Sequence, residues 1–179
     1  MEVRLDKFKH QNHQKKSKLT LGLWLVLGAV FIQSKFPFPI FFKKMILKLF
    51  GAKIGSNFII KTGVIIKYPW KLHLGDNVWI GENVWIDNLD DITIHSNVCI
   101  SQGALLLTGN HDYKKSDFAL VTGKIIIEDG VWIGAKSVVC PNIICKKNSI
   151  LTVGSILQMN TMENGIYQGN PATHKRYRF

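Results

Sequence analysis

The chain has 179 residues, 46% of them hydrophobic, which suffices for one compact domain with its own core and is too short for a second full domain. With 23 Lys and Arg against 12 Asp and Glu its formal charge is +11, which favours anionic partners such as nucleic acid, membrane phosphate or a phosphorylated co-substrate. Cys99, Cys140 and Cys145 form an odd set without CxxC spacing, each inside an apolar run, and read as buried free thiols suited to a reducing cytoplasm rather than as a disulfide framework.

Residues 1–18 carry Arg4, Lys7, Lys9, Lys15, Lys16 and Lys18 against Glu2 and Asp6, a local excess of positive charge. The run "LTLGLWLVLGAVFI", Leu19 to Ile32, follows; it is shorter than the roughly 18 to 20 apolar residues that span a bilayer. No small-x-small cleavage site succeeds it, so it reads as a docked or interfacial helix rather than a signal-peptide core. In "FFKKMILKLFG", Phe41 to Gly51, Lys43, Lys44 and Lys48 lie among bulky apolar residues near helical spacing. Residues 36–50 are expected to cap the end of the following fold, with peripheral contact to an anionic membrane as an added expectation.

From Ile54 onward an aliphatic residue recurs every six positions: Ile54, Ile60, Ile66 and Leu72; Leu74, Ile80, Ile86 and Ile92; Ile94, Ile100 and Leu106. After an interruption the series resumes at Ile127, Ile133, Val139, Cys145, Leu151 and Leu157. Three residues after the aliphatic position the chain repeatedly sets Asn or Gly, types that tolerate positive φ, as at Asn57, Gly63, Asn77, Asn97, Gly130 and Asn148. One residue further stands a side chain fit for a confined corner, among them Val64, Val78, Ala104, Ser137, Ser149 and Ser155. A short strand and a corner, three times per circuit, give a triangular prism of parallel strands, the hexapeptide β-helix. Coil starts at 54, 74, 94 and 127 put surplus residues in one turn, so Gly109 to Thr122, "GNHDYKKSDFALVT", must leave the prism as an extruded loop. The expected organisation is a basic, partly helical segment at 1–50, a β-helix at 51–160 with the loop 109–122, and a tail at 161–179.

The hexads "LGDNVWIGENVWI" and "IEDGVWIGAKSVV", the "NHD" of the loop and the terminal "GNPA" together resemble the hexapeptide-repeat acyltransferases. The segments "YPWKLHLGDNVWIGENVWIDNL" and "ISQGALLLTGNHDY" are most similar to sugar O-acetyltransferases of exopolysaccharide assembly, the colanic acid biosynthesis acetyltransferase type. The likeness extends over about residues 20–175. It implies an all-β, left-handed parallel β-helix that works as a homotrimer, uses acetyl-CoA as co-substrate and acetylates a sugar or lipid-linked glycan in clefts between subunits. His111 matches the loop histidine that serves as general base, a role suited to an imidazole titrating near about 6.5. Asp112 is a candidate orienting carboxylate for it. Asp87 and Asn88, in the run "DNLDD" (Asp87 to Asp91), are the nearest counterparts of the family's acceptor-binding residues. Coil placement directs CoA toward Gly134, Ala135, Ser137, Gly154 and Ser155, with Lys175 and Arg176 near its phosphates.

Trp79, Trp85 and Trp132 share one hexad position and are expected to stack or line a trimer face. His73 and His95 invite comparison with the zinc enzymes of this fold, but they occupy unlike positions on successive coils, so no metal is expected. No nucleic-acid motif accompanies the charge, which gathers at the termini and suits lipid or phosphate contact better. A cytoplasmic protein, peripheral at the inner face of the cell membrane, follows from these features. Two alternatives stand: acetylation of a small free acceptor, and a trimeric scaffold without activity.

Overall fold

The computed structural model describes residues 2–8 and 16–179; Lys9 and Lys15 of the basic set lie outside them. From Lys53 to Leu157 the chain winds a prism with three parallel sheets. The first contains Lys53–Ile54, Leu72–Leu74, Ile92–Ile94, Ile125–Ile127 and Ile144–Cys145. The second contains Ile59–Ile60, Trp79–Ile80, Cys99–Ile100, Trp132–Ile133 and Ile150–Leu151. The third contains Ile65–Ile66, Trp85–Asp87, Leu105–Leu107, Val138–Val139 and Ile156–Leu157. Ile54, Leu74, Ile94, Ile127 and Cys145 stack in register, so the spacings read from the sequence are the coil-to-coil registers of the first sheet.

Strands this short work because alternation gives each one outward and one inward side chain. Ile60, Ile80, Ile100, Ile133 and Leu151 face inward and are buried. Each such side chain contributes about 1.5–3 kcal/mol on leaving water. The corner between the first and second sheets carries Asn57, Asn77, Asn97, Gly130 and Asn148, all at positive φ. Its carboxamides form a ladder: Asn57 Nδ2 donates to Asn77 Oδ1 at 2.9 Å, and Asn77 Nδ2 to Asn97 Oδ1 at 2.9 Å. Gly130 keeps the column open, since a β-carbon there would lie 2.2 Å from Asn148 Oδ1. The next corner carries Gly63, Asn83, Gly103, Lys136 and Gly154; Lys136, at φ 56°, adopts the left-handed conformation without a residue type that favours it.

The third corner, from the third sheet back to the first, is irregular in the first three coils. It holds a short 3-10 turn at Pro69–Lys71, the acidic run Asp87 to Asp91, and the insertion that begins after Leu107.

Two helices close the N-terminal end of the prism. Helix α1, Lys18–Leu27, starts where Ser17 Oγ accepts from the Thr20 amide at 3.1 Å, and it continues as a π turn through Gly28–Ile32. Helix α2 is Ile40–Leu49. Trp24 is buried, and its Nε1 donates to the carbonyls of Ile66 at 3.2 Å and Lys67 at 3.0 Å, while Ile32, Ile46, Leu47 and Phe50 join the same core. Lys43 is buried as well; its Nζ donates to the Lys61 carbonyl at 3.0 Å, and burial pushes its pKa down. The cap thus reaches back beyond residue 36 to Trp24.

Residues 161–179 continue the second sheet. Gly165–Gly169 extends the second sheet beside Ile150–Leu151, and Ala172–Tyr177 folds back antiparallel on it across the cis Asn170–Pro171 bond.

Candidate active site

The surplus residues of the interrupted turn form an antiparallel hairpin in which Gly109, Asn110 and His111 face Thr122, Val121 and Leu120. A hairpin satisfies its own backbone, so it leaves the prism without breaking the coil, and Ile92–Ile94 pairs directly with Ile125–Ile127 beneath it.

Its root is clamped by the acidic run of the preceding coil. Thr108, fully buried, donates its hydroxyl to the Asp87 carbonyl at 2.8 Å and accepts from the Asp90 amide at 3.1 Å. Thr122 Oγ1 donates to Asp90 Oδ2 at 3.2 Å, and Lys124 Nζ lies 3.4 Å from Asp91 Oδ2. Leu89 lies against Gly109, where a β-carbon would come within 2.6 Å of its Cδ1. The departure from the hexad rule at Asp87 to Asp91 is therefore the anchor of the hairpin.

Near the tip, His111 Nδ1 lies 2.8 Å from the Phe118 carbonyl. A carbonyl only accepts, so Nδ1 carries the hydrogen, and the neutral ring keeps its lone pair on Nε2. The Phe118 ring stacks on the imidazole, centroids 4.3 Å apart and planes 7° from parallel, with its backbone at φ 48°. Phe8 approaches the same imidazole at 5.7 Å, and the Arg4 amide donates to the Ser116 carbonyl at 2.7 Å, so the first residues of the chain run against the hairpin tip.

The other expected site residues lie in varied surroundings. Asp112 does not orient His111: its carboxylate accepts from the Lys114 amide at 3.1 Å and lies 3.5 Å from Lys115 Nζ, which fixes the turn at the tip. The orienting group is the Phe118 backbone, invisible to a search for side-chain partners. Asn88 is wholly buried, and its carboxamide accepts from the amide of Tyr68 at 2.9 Å and donates to the carbonyl of Tyr68 at 2.6 Å. Asp87 stands at the edge of the same corner with Lys67 Nζ 2.9 Å from Oδ1. Of the positions proposed to contact CoA, Ser137 and Ser155 are buried in corners, Ser137 Oγ donating to the Gly134 carbonyl at 2.6 Å and Ser155 Oγ accepting from the Gly169 amide at 3.0 Å. Gly134 is buried too, with no room for a β-carbon beside the Leu151 carbonyl. Ala135 is partly exposed, and Gly154, Lys175 and Arg176 lie on the surface.

Trp79 and Trp132 flank Cys99 in register on the second sheet, and Trp85 stands on the third; all are about half exposed. His73 points outward from Leu72–Leu74, whereas His95 follows Ile94 and lies 3.8 Å from Asp129 Oδ2. Among the described residues no group of three or more His, Cys, Asp or Glu is arranged to hold a metal ion.

Comparison with known proteins gives this geometry its context. No family model matches the chain. It is 35% identical over 156 residues to an Escherichia coli protein named as a colanic acid biosynthesis acetyltransferase, WcaF, covering 87% of this chain and 85% of that one. Among solved structures, a hexapeptide-repeat acetyltransferase from Vibrio cholerae in complex with acetyl-CoA superposes with TM-score 0.84 at 18% identity, covering 98% of this chain and 96% of that one. A galactoside acetyltransferase in complex with CoA superposes with TM-score 0.81 at 22% identity, covering 93% and 86%.

Proposed function

The chain belongs to the hexapeptide-repeat acetyltransferase family, and on that premise we propose that it moves acetyl from acetyl-CoA to a sugar hydroxyl in the assembly of a surface glycan. The observation that carries the proposal is the state of His111, whose Nδ1 is committed to the Phe118 carbonyl so that Nε2 is left as a base. His111 Nε2 takes the proton of the hydroxyl as its oxygen adds to the thioester carbonyl, then returns it to the departing thiolate. An acetyl ester and free CoA form with no net change in protons. Phe118 and Phe8 confine the imidazole while this happens. The names of the relatives, a colanic acid acetyltransferase and a galactoside acetyltransferase bound to CoA, support the sugar acceptor and the acyl donor. The partly exposed Ala135 and the exposed Gly154, Lys175 and Arg176 remain the residues for CoA contact.

Assembly as a homotrimer, with the cleft completed by a neighbour, is supported by the outward tryptophans Trp79, Trp85 and Trp132, which a second prism would cover. Peripheral attachment to an anionic membrane from the cytoplasmic side is supported by the N-terminal helices. No helix among the described residues is long and apolar enough to cross a membrane, yet Leu19, Leu23, Val26 and Val30 of one helical face, with Phe41, Met45 and Leu49 of α2, stay exposed beside Lys16, Lys18 and Lys48.

The test is purified protein with acetyl-CoA and a panel of free and lipid-linked oligosaccharides, followed by thiol release and acceptor mass. Acceptor-dependent release with a gain of one acetyl group, slowed about 10²- to 10⁴-fold by His111→Ala, is the expected result. Full activity in His111→Ala overturns the general-base assignment, and failure to bind CoA overturns the reaction itself.

A further inference from the structure

The corner that clamps the hairpin also walls a cavity of about 520 Å³, within the size range of small-molecule sites. Lys16, Trp70, Lys71, Asp90, Asp91 and Lys124 line it. It adjoins the proposed catalytic hairpin: Asp90 Oδ2 holds the Thr122 hydroxyl, and Thr122 faces Gly109, two residues along the strand from His111. Two residues of strand span about 7 Å. The cavity and the proposed base thus belong to the root and the tip side of one hairpin, a separation that a ligand of more than one sugar ring can span.

The lining selects the kind of ligand. Trp70 stacks on Tyr68 with centroids 5.1 Å apart, and its Nε1 is buried without a hydrogen-bond partner among the described residues. Buried indole N–H groups ordinarily find an acceptor, and a ligand oxygen that reached the ring edge would supply one here. The charges are mixed and held in place. Lys71 Nζ donates to the Leu89 carbonyl, Lys124 pairs with Asp91, and the Asp90 carboxylate is fixed by the hydroxyl of Thr122 and the amide of Asp91. An apolar ligand would desolvate these charges without return, and a phosphate would face two carboxylates as well as the lysines. A polyhydroxyl ring uses the whole set: carboxylates accept from its hydroxyls, ammonium groups and the indole N–H donate to them, and the aromatic surface packs on its C–H face.

We propose that this cavity is a second sugar subsite, which holds the residue next to the one acetylated, so that the acceptor is an oligosaccharide rather than a single sugar. The proposal rests on the sugar-acetylation reading above.

The experiment measures binding, by saturation-transfer NMR, to the full chain carrying His111→Ala, in which turnover does not obscure affinity. The probes are galactose, fucose, glucose and mannose and disaccharides built from them. At least one disaccharide is expected to bind about tenfold or more tightly than either component sugar, a gain that Trp70→Phe and Lys71→Gln each reduce to within about twofold. Trp70→Phe keeps an aromatic ring while removing the N–H and part of the indole surface, and Lys71→Gln guards against a folding defect at Trp70. Glu163→Gln, an exposed position outside this lining, serves as the control and retains the gain. The subsite is overturned if no disaccharide exceeds its components, or if the gain survives both substitutions. It is likewise overturned if inorganic pyrophosphate binds the cavity while no disaccharide is preferred. Parallel acetyl-transfer assays separate the two readings: transfer with equal kcat/KM for mono- and disaccharides sinks the subsite alone, whereas preferential disaccharide binding without any transfer sinks the reaction alone.

Discussion

Phe118 offers two separable perturbations, because its backbone and its ring act on His111 in different ways. The carbonyl holds Nδ1 at 2.8 Å, the ring lies parallel to the imidazole at 4.3 Å, and φ is 48°. Phe118→Ala removes the ring and leaves a β-carbon in the left-handed region; Phe118→Gly removes both. Loss of the ring pair costs about 0.5–1.5 kcal/mol. Loss of a half-buried phenylalanine side chain adds roughly half of the 1.5–3 kcal/mol for full burial. Phe118→Ala should therefore be about 1–3 kcal/mol less stable than the natural chain. Phe118→Gly escapes the left-handed penalty of about 1–2 kcal/mol but has a more flexible unfolded state, worth about 0.5–1 kcal/mol against it. It should exceed Phe118→Ala in stability by about 0.5–1 kcal/mol. Both variants keep the carbonyl and lose the ring that confines the imidazole, so kcat should fall about tenfold in each, equivalent to about 1.4 kcal/mol of transition-state stabilisation. Urea unfolding gives the stabilities, and initial rates at saturating acetyl-CoA give kcat. Equal stability of the two variants refutes the backbone argument. A kcat within about twofold of the natural chain refutes the role of the ring.

Asn88→Ala strands the amide and carbonyl of Tyr68 in a buried corner, and urea unfolding should show a loss of about 2–4 kcal/mol, while kcat per folded molecule is retained. Lys136→Asn puts at φ 56° a residue type that accepts it, and a gain of about 0.5–1 kcal/mol should raise the thermal midpoint by about 1–4 °C. Burial raises the pKa of Glu128, but bonds from Lys146 Nζ and the Lys147 amide, both at 2.9 Å, outweigh it and hold the carboxyl below its ordinary 4.5. A depressed carboxyl contributes stability that is present above 4.5 and lost as pH falls through its folded value. Urea midpoints of the natural chain and Glu128→Gln should therefore differ near neutrality and converge in acid; a constant difference across the range overturns the assignment.

The prism was legible because its rule involves residue types: a strand with one inward side chain, then a residue able to take positive φ. Where the structure obeys the rule through an unsuited residue, as at Lys136, the sequence gives no warning. The same rule bears on the proposed CoA contacts. Ser137 and Ser155 occupy the confined corner position of their hexads, so their burial follows from the periodicity. The role of the Phe118 carbonyl was beyond reach for another reason, since a backbone oxygen has no signature and phenylalanine is a poor candidate for φ 48°.

The acidic run is the instructive middle case. Its departure from the hexad pattern was plain, but a corner rich in carboxylates reads alike whether it meets solvent, substrate or another part of the chain. The choice is made by Tyr68, Thr108, Thr122 and Lys124, which the winding of the coil brings to it. The first corner is closed to such elaboration by its column of stacked Asn and Gly, where an added residue would break contacts at 2.9 Å between successive coils. The third corner is under no such constraint in the first three coils. The hairpin that carries His111, its clamp and the adjoining cavity all lie there, because it is where the chain can depart from the repeat without unwinding the prism.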